Sequence, residues 1–201
     1  MAETLLELDS RPGHKNSHRL TMTTDDLAVD SQRFRWAEID RISYSARTII
    51  VNGANMGAQF LIGVGTPDRH AYFSLDTSTT GMVRINRHDD QRDLQHAQWA
   101  VAVTVLDRMV GDRLVGAMVA AIRGGDAATI VKLRLDRDGV HSTGWFAKSL
   151  AWRDIDSLYV LDRYWSIFAR GGSQTKALIR ISHGVWNGVL LPRVVDAMTD
   201  G

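Results

Sequence analysis

Runs of alternating apolar and polar residues recur along the chain and predict short β-strands joined by tight turns. Residues 20–29 and 133–141 each hold two such runs, joined at Thr23-Thr24-Asp25-Asp26 in one and at Asp136-Arg137-Asp138-Gly139 in the other. Alternation places successive side chains on opposite faces of a strand, and Asp-rich or Asp-Gly pairs favour the turn between strands. The pattern therefore predicts a β-hairpin in each segment.

One long segment follows a helical period instead. Asp89 or Asp90 can cap the first turn, apolar residues continue to Ile122, and Arg123-Gly124-Gly125 supplies a basic last turn and a glycine stop. A helix over 89–123 would measure about 50 Å if Gly111 does not bend it. Apolar residues recur on two neighbouring faces of this helix, and we expect its first part to pack on the first half of the chain. One face includes Leu94, Val101, Val105 and Met109; the other includes Val103, Leu106, Val110 and Leu114.

The end of this helix is expected to pack outside the first half of the chain. Leu114, Met118 and Ile122 are predicted to reach that half or a second subunit. A closing helix near the C-terminus begins at Asn187 with a kink, or at Pro192, because proline lacks an amide donor and disfavours helix at the residue before it.

An internal repeat organises the chain. The frame apolar-x-Trp-x-acid-Ile-Asp-x-aliphatic occurs at 34–42 and again at 150–158, and each copy has a hairpin before it and β-rich runs and a helix after it. We therefore divide the chain into an N-terminal tail (1–16), a first domain (17–123) and a shorter second domain (124–201) that lacks one hairpin strand. If the chain bends between the Trp and the Ile, both side chains enter one core, while Asp40 and Asp156 face solvent or cap the turn.

These features resemble the pleckstrin-homology-like (PH-like) superfold in its bacterial form, and the tandem arrangement resembles a family of actinobacterial proteins with PH-like halves. The residues that carry the resemblance are Trp36, Ile39, Trp152 and Ile155. The resemblance implies an α+β fold of two β-sandwich or partly open barrel halves, each closed by a C-terminal helix, the first helix long. It implies a fold and not a chemistry. It also allows a homo-oligomer assembled through strand edges.

Composition narrows the functional classes. The 201 residues include no cysteine, which excludes thiol nucleophiles, zinc ribbons and disulfide frameworks and favours a reducing compartment, the cytoplasm. The net charge of +1 gives no long-range field, so nucleic acid is not an expected partner. The most apolar segment, 97–122, contains four charges, and we expect no transmembrane segment. The N-terminus shows no secretory core.

Candidate catalytic and metal-binding residues do not form a recognisable pattern. His14 and His18 lie in a loop-like segment without a third ligand, and His88 and His96 are expected to be exposed near the helix start. There is no Gly-x-Ser-x-Gly, and serines with a neighbouring base and acid are not evident. We therefore predict no catalytic, cofactor or metal site and no enzymatic activity.

Three residues are candidates for binding. Arg33 and Arg35 could form a small basic face, although strand alternation also explains them as a solvated outer face, and the acidic hairpin turns would repel phosphates. Trp145 follows Ser142-Thr143-Gly144 in a loop, where an aromatic is a candidate partner contact. The sequence thus predicts a non-catalytic interaction or scaffolding module that binds an unknown protein partner. The alternative is a lipid or small-molecule binding domain, and peripheral membrane contact is left open.

Overall fold

The computed structural model describes residues 2–10, 15, 17–51, 54–76, 86–143, 147–161, 163–172 and 177–199. These residues form a mixed α+β fold with four antiparallel sheets. Contacts between residues divide the chain into two units, Met1–Val110 and Gly111–Gly201. The sequence predicts the division at residue 124, whereas in the structure the last part of the long helix groups with the second unit.

The first unit contains a four-stranded sheet, a three-stranded sheet and a helix. The strands of the first sheet, in spatial order, are β1 (Thr4–Asp9), β2 (Arg19–Thr23), β3 (Asp26–Val29) and β4 (Gln32–Arg35). A 3₁₀ turn, Trp36–Glu38, leads to the second sheet, formed by β5 (Arg41–Val51), β6 (Ala54–Gly65) and β7 (His70–Asp76). Helix α1 (Asn86–Leu106) follows.

The second unit shows the same order of elements after its own first helix, α2 (Asp112–Gly124). Its four-stranded sheet consists of β8 (Ala128–Ile130), β9 (Leu133–Asp136), β10 (Gly139–Ser142) and β11 (Ser149–Ala151). A 3₁₀ turn, Trp152–Asp154, leads to β12 (Ile155–Leu161), β13 (Tyr164–Ala169) and β14 (Ile179–Ser182). The prediction that the second half lacks one hairpin strand is therefore wrong. Strands β8 and β11 have only three residues each, too few for an alternating pattern to reveal them.

The N-terminal residues are part of the fold. Residues 4–9, assigned to a tail by the sequence analysis, form β1, which pairs antiparallel with β2 through partners such as Leu8 and Leu20. Leu8 and Leu20 are both buried, whereas Glu7 is exposed. Residues 4–9 therefore form a strand with one buried and one exposed face, and the prediction of a tail over these residues is wrong.

The repeated Trp-x-x-Ile motif behaves as predicted in both units. Trp36, Ile39, Trp152 and Ile155 are all buried, and each Trp begins a 3₁₀ turn that brings the Ile to the same side. The aspartate that follows each Ile is exposed, as the bend requires. The burial of both side chains could be predicted from the local sequence because the 3₁₀ turn itself brings the Trp and the Ile to the same side.

The long helical segment begins earlier than predicted, and one of its two predicted apolar stripes is buried. It starts at Asn86. Leu94 and Val101 of the first predicted stripe are exposed, whereas Leu106, Val110 and Leu114 of the second are buried. Trp99 donates a 3.1 Å hydrogen bond from Nε1 to the carbonyl of Leu61, which holds α1 against β6. The first stripe was predicted wrongly because apolar residues occur on more than one face of this helix.

A π-helical turn, Asp107–Gly111, separates α1 from α2 in sequence. The predicted glycine stop is confirmed, since Gly125 is left-handed at φ 98° and its N–H bonds to the carbonyl of Ile122. As predicted, Met118 and Ile122 pack with the core of the second unit, together with residues of β8, β9 and the C-terminal helix. None of the described helices is long and apolar enough to cross a membrane.

The closing helix begins between the two predicted positions. Gly188–Leu190 form a 3₁₀ turn, and α3 (Leu191–Thr199) follows. Pro192 lies in the first turn of α3, where its missing N–H removes no helical hydrogen bond. Leu191, Val194 and Val195 are buried in the core of the second unit.

Candidate functional site

Strand β12 presents apolar side chains at the edge of a sheet. In the part of the chain that the structure describes, it pairs on one side only, with β13. Tyr159, Val160 and Leu161 are 43%, 44% and 39% exposed, and Asp156 is the only charged residue of the strand. Edge strands are normally protected by charges, proline or short length, because their free backbone groups can pair with another chain. The exposed side chains make this edge a candidate interaction surface.

A hollow adjoins this edge. The rings of Tyr159 and Phe168 stack with their centroids 4.8 Å apart and their planes at 12°. Beside them lies a cavity of about 440 Å³ lined by Asp156, Ser157, Gly171 and Gly172 as well as the two rings. The hollow can receive one side chain, with an aromatic wall on one side and the Asp156 carboxylate on another.

The corresponding edge of the first unit has a different character. Strand β5 exposes Ala46, Arg47 and Thr48, and the guanidinium of Arg47 donates to the side-chain oxygen of Gln59 at 2.7 Å. A positive charge and small polar side chains protect a strand edge. Among the residues of β5 whose side chains the structure describes, 41–48, no exposed apolar run like that of β12 occurs.

The structure places the predicted basic residues on a solvated face and gives each an acid nearby. Arg33 is exposed and its Nη1 lies 3.1 Å from the Asp26 carboxylate. The backbone N–H of Arg35 donates to Glu38 at 2.9 Å, and this hydrogen bond, with the nearby charges of Arg69 and Arg35, lowers the pKa of Glu38. Trp145, the third candidate, lies outside the described residues. Nothing observed gathers these three residues into one site.

The histidines considered as metal ligands do not form a cluster among the described residues. His14 and the side chain of His88 lie outside what the structure describes. His18 contacts Asp30 at 2.7 Å; burial raises the pKa of Asp30, but hydrogen bonds from His18 and the N–H of Arg19 outweigh it and hold the pKa below its usual value. His96 packs against Phe60 and Trp99. His18 and His96 therefore each make a separate structural contact and do not share one site.

A row of three polar side chains on the second unit was missed by the sequence analysis. His141 Nδ1 lies 2.9 Å from Ser149 Oγ, and its Nε2 lies 2.9 Å from Asp136 Oδ1. Register explains the proximity, because His141 and Ser149 are directly opposite each other on β10 and β11. The spacing of these residues along the chain gives no motif, and only an alignment of the hairpin strands could have revealed them.

The aspartate of this row is held in its ionised form. Burial raises the pKa of Asp136, but the hydrogen bonds from His141 and from the N–H of Asp138, together with the charge of Arg134, outweigh it and lower the pKa below its usual value. The Arg134 guanidinium lies 3.2 Å from the carboxylate. Because a carboxylate only accepts hydrogen bonds, His141 Nε2 must carry the proton and donate the hydrogen bond to Asp136.

A second cavity lies within the first unit, between α1 and the sheet of β5 and β6. It measures about 300 Å³, and its lining includes the small residues Ala46, Thr48 and Ala58 and the charged residues Arg47, Arg92 and Asp93. Phe60 and His96 wall it, with ring centroids 5.6 Å apart. This lining of apolar, aromatic and charged groups suits a small amphipathic molecule.

Comparisons with known proteins do not identify a family for this chain. It matches no model of a protein family, no curated protein and no solved structure. Its function must therefore be argued from the chemistry of its own side chains.

Proposed function

We propose that this chain is a non-catalytic protein-interaction module made of two PH-like units, suited by its lack of cysteine to the reducing cytoplasm. The fold supports the proposal in one respect. Each unit has a four-stranded sheet, a 3₁₀ turn that begins at a buried Trp, a three-stranded sheet and a helix. This order of elements agrees with the resemblance drawn from the repeat.

The observation that carries the function is the exposed apolar edge of β12. The occupant that suits it is an extended segment of another protein, added as a further strand. Main-chain hydrogen bonds to the free edge would supply affinity, and side chains alternating toward Tyr159 and Val160 would supply specificity. The hollow beside Tyr159 would take one partner side chain, and Asp156 at its wall favours a basic or hydrogen-bonding group there.

A selection of random extended peptides on the full chain tests this proposal. We expect enriched peptides to contain alternating apolar residues and to bind the wild type. The substitution Val160→Lys should weaken their binding about tenfold or more, because a desolvated charge at the edge opposes strand addition. Val101→Lys is the matched control, since Val101 is 50% exposed on α1.

Two results would overturn the proposed site. One is the absence of any enriched peptide against the folded wild type. The other is equal binding to the Val160→Lys and Val101→Lys proteins, which would place the contact away from β12.

A second candidate function, small-molecule or lipid binding, is favoured by the cavity beside α1. A thermal-shift screen with small aromatic acids and fatty acids tests it, because a ligand selective for the folded state raises the melting temperature. Ala46→Phe should fill the cavity and abolish the rise, whereas Ala97→Phe, at an exposed position of α1, should keep it. A rise that survives Ala46→Phe would exclude this cavity.

A further inference from the structure

Ser149, His141 and Asp136 form a hydrogen-bonded relay with one consistent assignment of protons. Asp136 accepts from His141 Nε2, so the Nδ1 of a neutral His141 has no proton and accepts from the Ser149 hydroxyl. A serine hydroxyl within hydrogen-bond distance of a base, with the base oriented by a third group, is the arrangement that activates a nucleophile. Both distances are 2.9 Å, inside the range such pairs require.

The serine is accessible to a reagent. Ser149 is exposed on β11, an edge strand of its sheet, while the side chains of His141 and Asp136 are only 27% and 19% exposed. Arg134 and the N–H of Asp138 also contact the Asp136 carboxylate, at 3.2 and 3.0 Å. The acid and base are thus held in place while the hydroxyl remains open.

The hairpins do not need this row in order to form. The first unit has the same strand arrangement, with Ala28 opposite Arg33 where the second unit has His141 opposite Ser149. In both units the indole of the motif Trp bonds to the end of the preceding strand, at Thr23 in one and Asp136 in the other. The relay is therefore an addition to the shared fold.

We propose that Ser149 is a modification site, a nucleophile activated by His141 that accepts one acyl group from an activated ester. Ser149 Oγ forms a bond to the acyl carbon, its proton passes to His141 Nδ1, and the bond to the leaving alcohol breaks. The alcohol departs as the alkoxide or takes the proton from His141. The product is an ester on Ser149, and no oxidant or metal is needed.

Asp136 is the positioning residue of this site. It holds the proton on Nε2 and thereby keeps Nδ1 free to accept. Repeated turnover would also require donors aimed at the developing oxyanion. Acyl transfer to the serine requires only the nucleophile and its base, so the proposal concerns a single modification and does not depend on the binding function of β12.

The test uses the full chain and p-nitrophenyl acetate, with the acetylated residue located by peptide mass spectrometry. We expect Ser149 to be acetylated about a hundredfold faster than Ser142, whose hydroxyl bonds to the carbonyl of Lys148 and serves as an internal reference. This comparison is made within the wild-type protein and does not depend on any variant folding. Equal rates at the two serines would overturn the proposal.

Two variants separate activation from a structural role. Glutamine in His141→Gln can still hydrogen-bond to its neighbours but is not a base, so Ser149 acetylation should fall about a hundredfold while the unfolding midpoint changes little. Asp136→Asn should also slow acetylation, because an amide can donate to Nε2 and turn Nδ1 into a donor. An unchanged rate in folded His141→Gln would show that the row is only structural.

Discussion

The indole Nε1 of Trp152 donates a hydrogen bond of 2.8 Å to the backbone carbonyl of Asp136. In the first unit, Trp36 makes the corresponding bond to Thr23 at 3.0 Å. In each case the Trp begins the 3₁₀ turn after the four-stranded sheet and reaches back to the end of an earlier strand. The repeated Trp therefore fixes a hairpin as well as filling the core, and in the second unit it also fixes the backbone of Asp136.

Trp152→Phe should lower the free energy of unfolding by about 1–3 kcal/mol, because the smaller ring leaves the Asp136 carbonyl without its donor. Denaturant unfolding followed by circular dichroism measures this change. Trp165→Phe is the matched control, since Trp165 Nε1 is buried without a partner among the described residues and its loss should cost much less. Equal losses in the two variants would assign the effect to ring volume alone.

Local signals predicted the elements that depend on neighbouring residues. The Asp-rich turn before β3 and the Asp-Gly turn before β10, the Trp-x-x-Ile bends and the glycine stop at Gly125 were all readable from a few adjacent residues. Each of these features depends on the backbone conformation that a few adjacent residues favour. Such features require no knowledge of distant strands.

Features that depend on pairing between distant residues were not predictable. Strand β1 reads as a polar tail until its pairing with β2 is known, and β8 and β11 have only three residues each. The Ser149, His141 and Asp136 row exists only because two hairpin registers align it. Likewise, which stripe of α1 is buried depends on how the helix lies on β6.

Gly139→Ala should destabilise the second unit by about 2 kcal/mol or more. Gly139 has φ 151°, and an added Cβ would collide with the carbonyl oxygen of Leu150 on the paired strand. Gly116→Ala is the control, because Gly116 lies in α2 with nothing within 4 Å of an added Cβ. That variant should gain about 0.5–1 kcal/mol from helix propensity. A tolerated Gly139→Ala would contradict the close approach of β10 and β11.

Val131→Asn should stabilise the chain by about 1 kcal/mol. Val131 lies in the turn between β8 and β9 at φ 51°, a left-handed conformation that strains a β-branched residue and suits asparagine. Its side chain is 51% exposed, so little packing is lost. Val101→Asn, at a similarly exposed position in α1, should instead lower stability slightly. Thermal melting of both variants measures the difference, and a lower melting temperature for Val131→Asn would contradict strain at this turn.

Asp136→Asn should reduce the loss of stability in acid. The contacts with His141, Asp138 and Arg134 lower the pKa of Asp136 in the folded state despite its burial. A carboxyl with a lowered folded pKa contributes stability that is fully present above its unfolded pKa, about 3.9, and is lost as the pH falls through the folded pKa. The wild type should therefore lose its advantage over Asp136→Asn as the pH falls below about 4. Melting temperatures measured across this range test the sign, with Asp68→Asn, an exposed turn residue, as the reference. A difference between wild type and Asp136→Asn that stays constant from neutral to acidic pH would show that ionised Asp136 does not stabilise the fold.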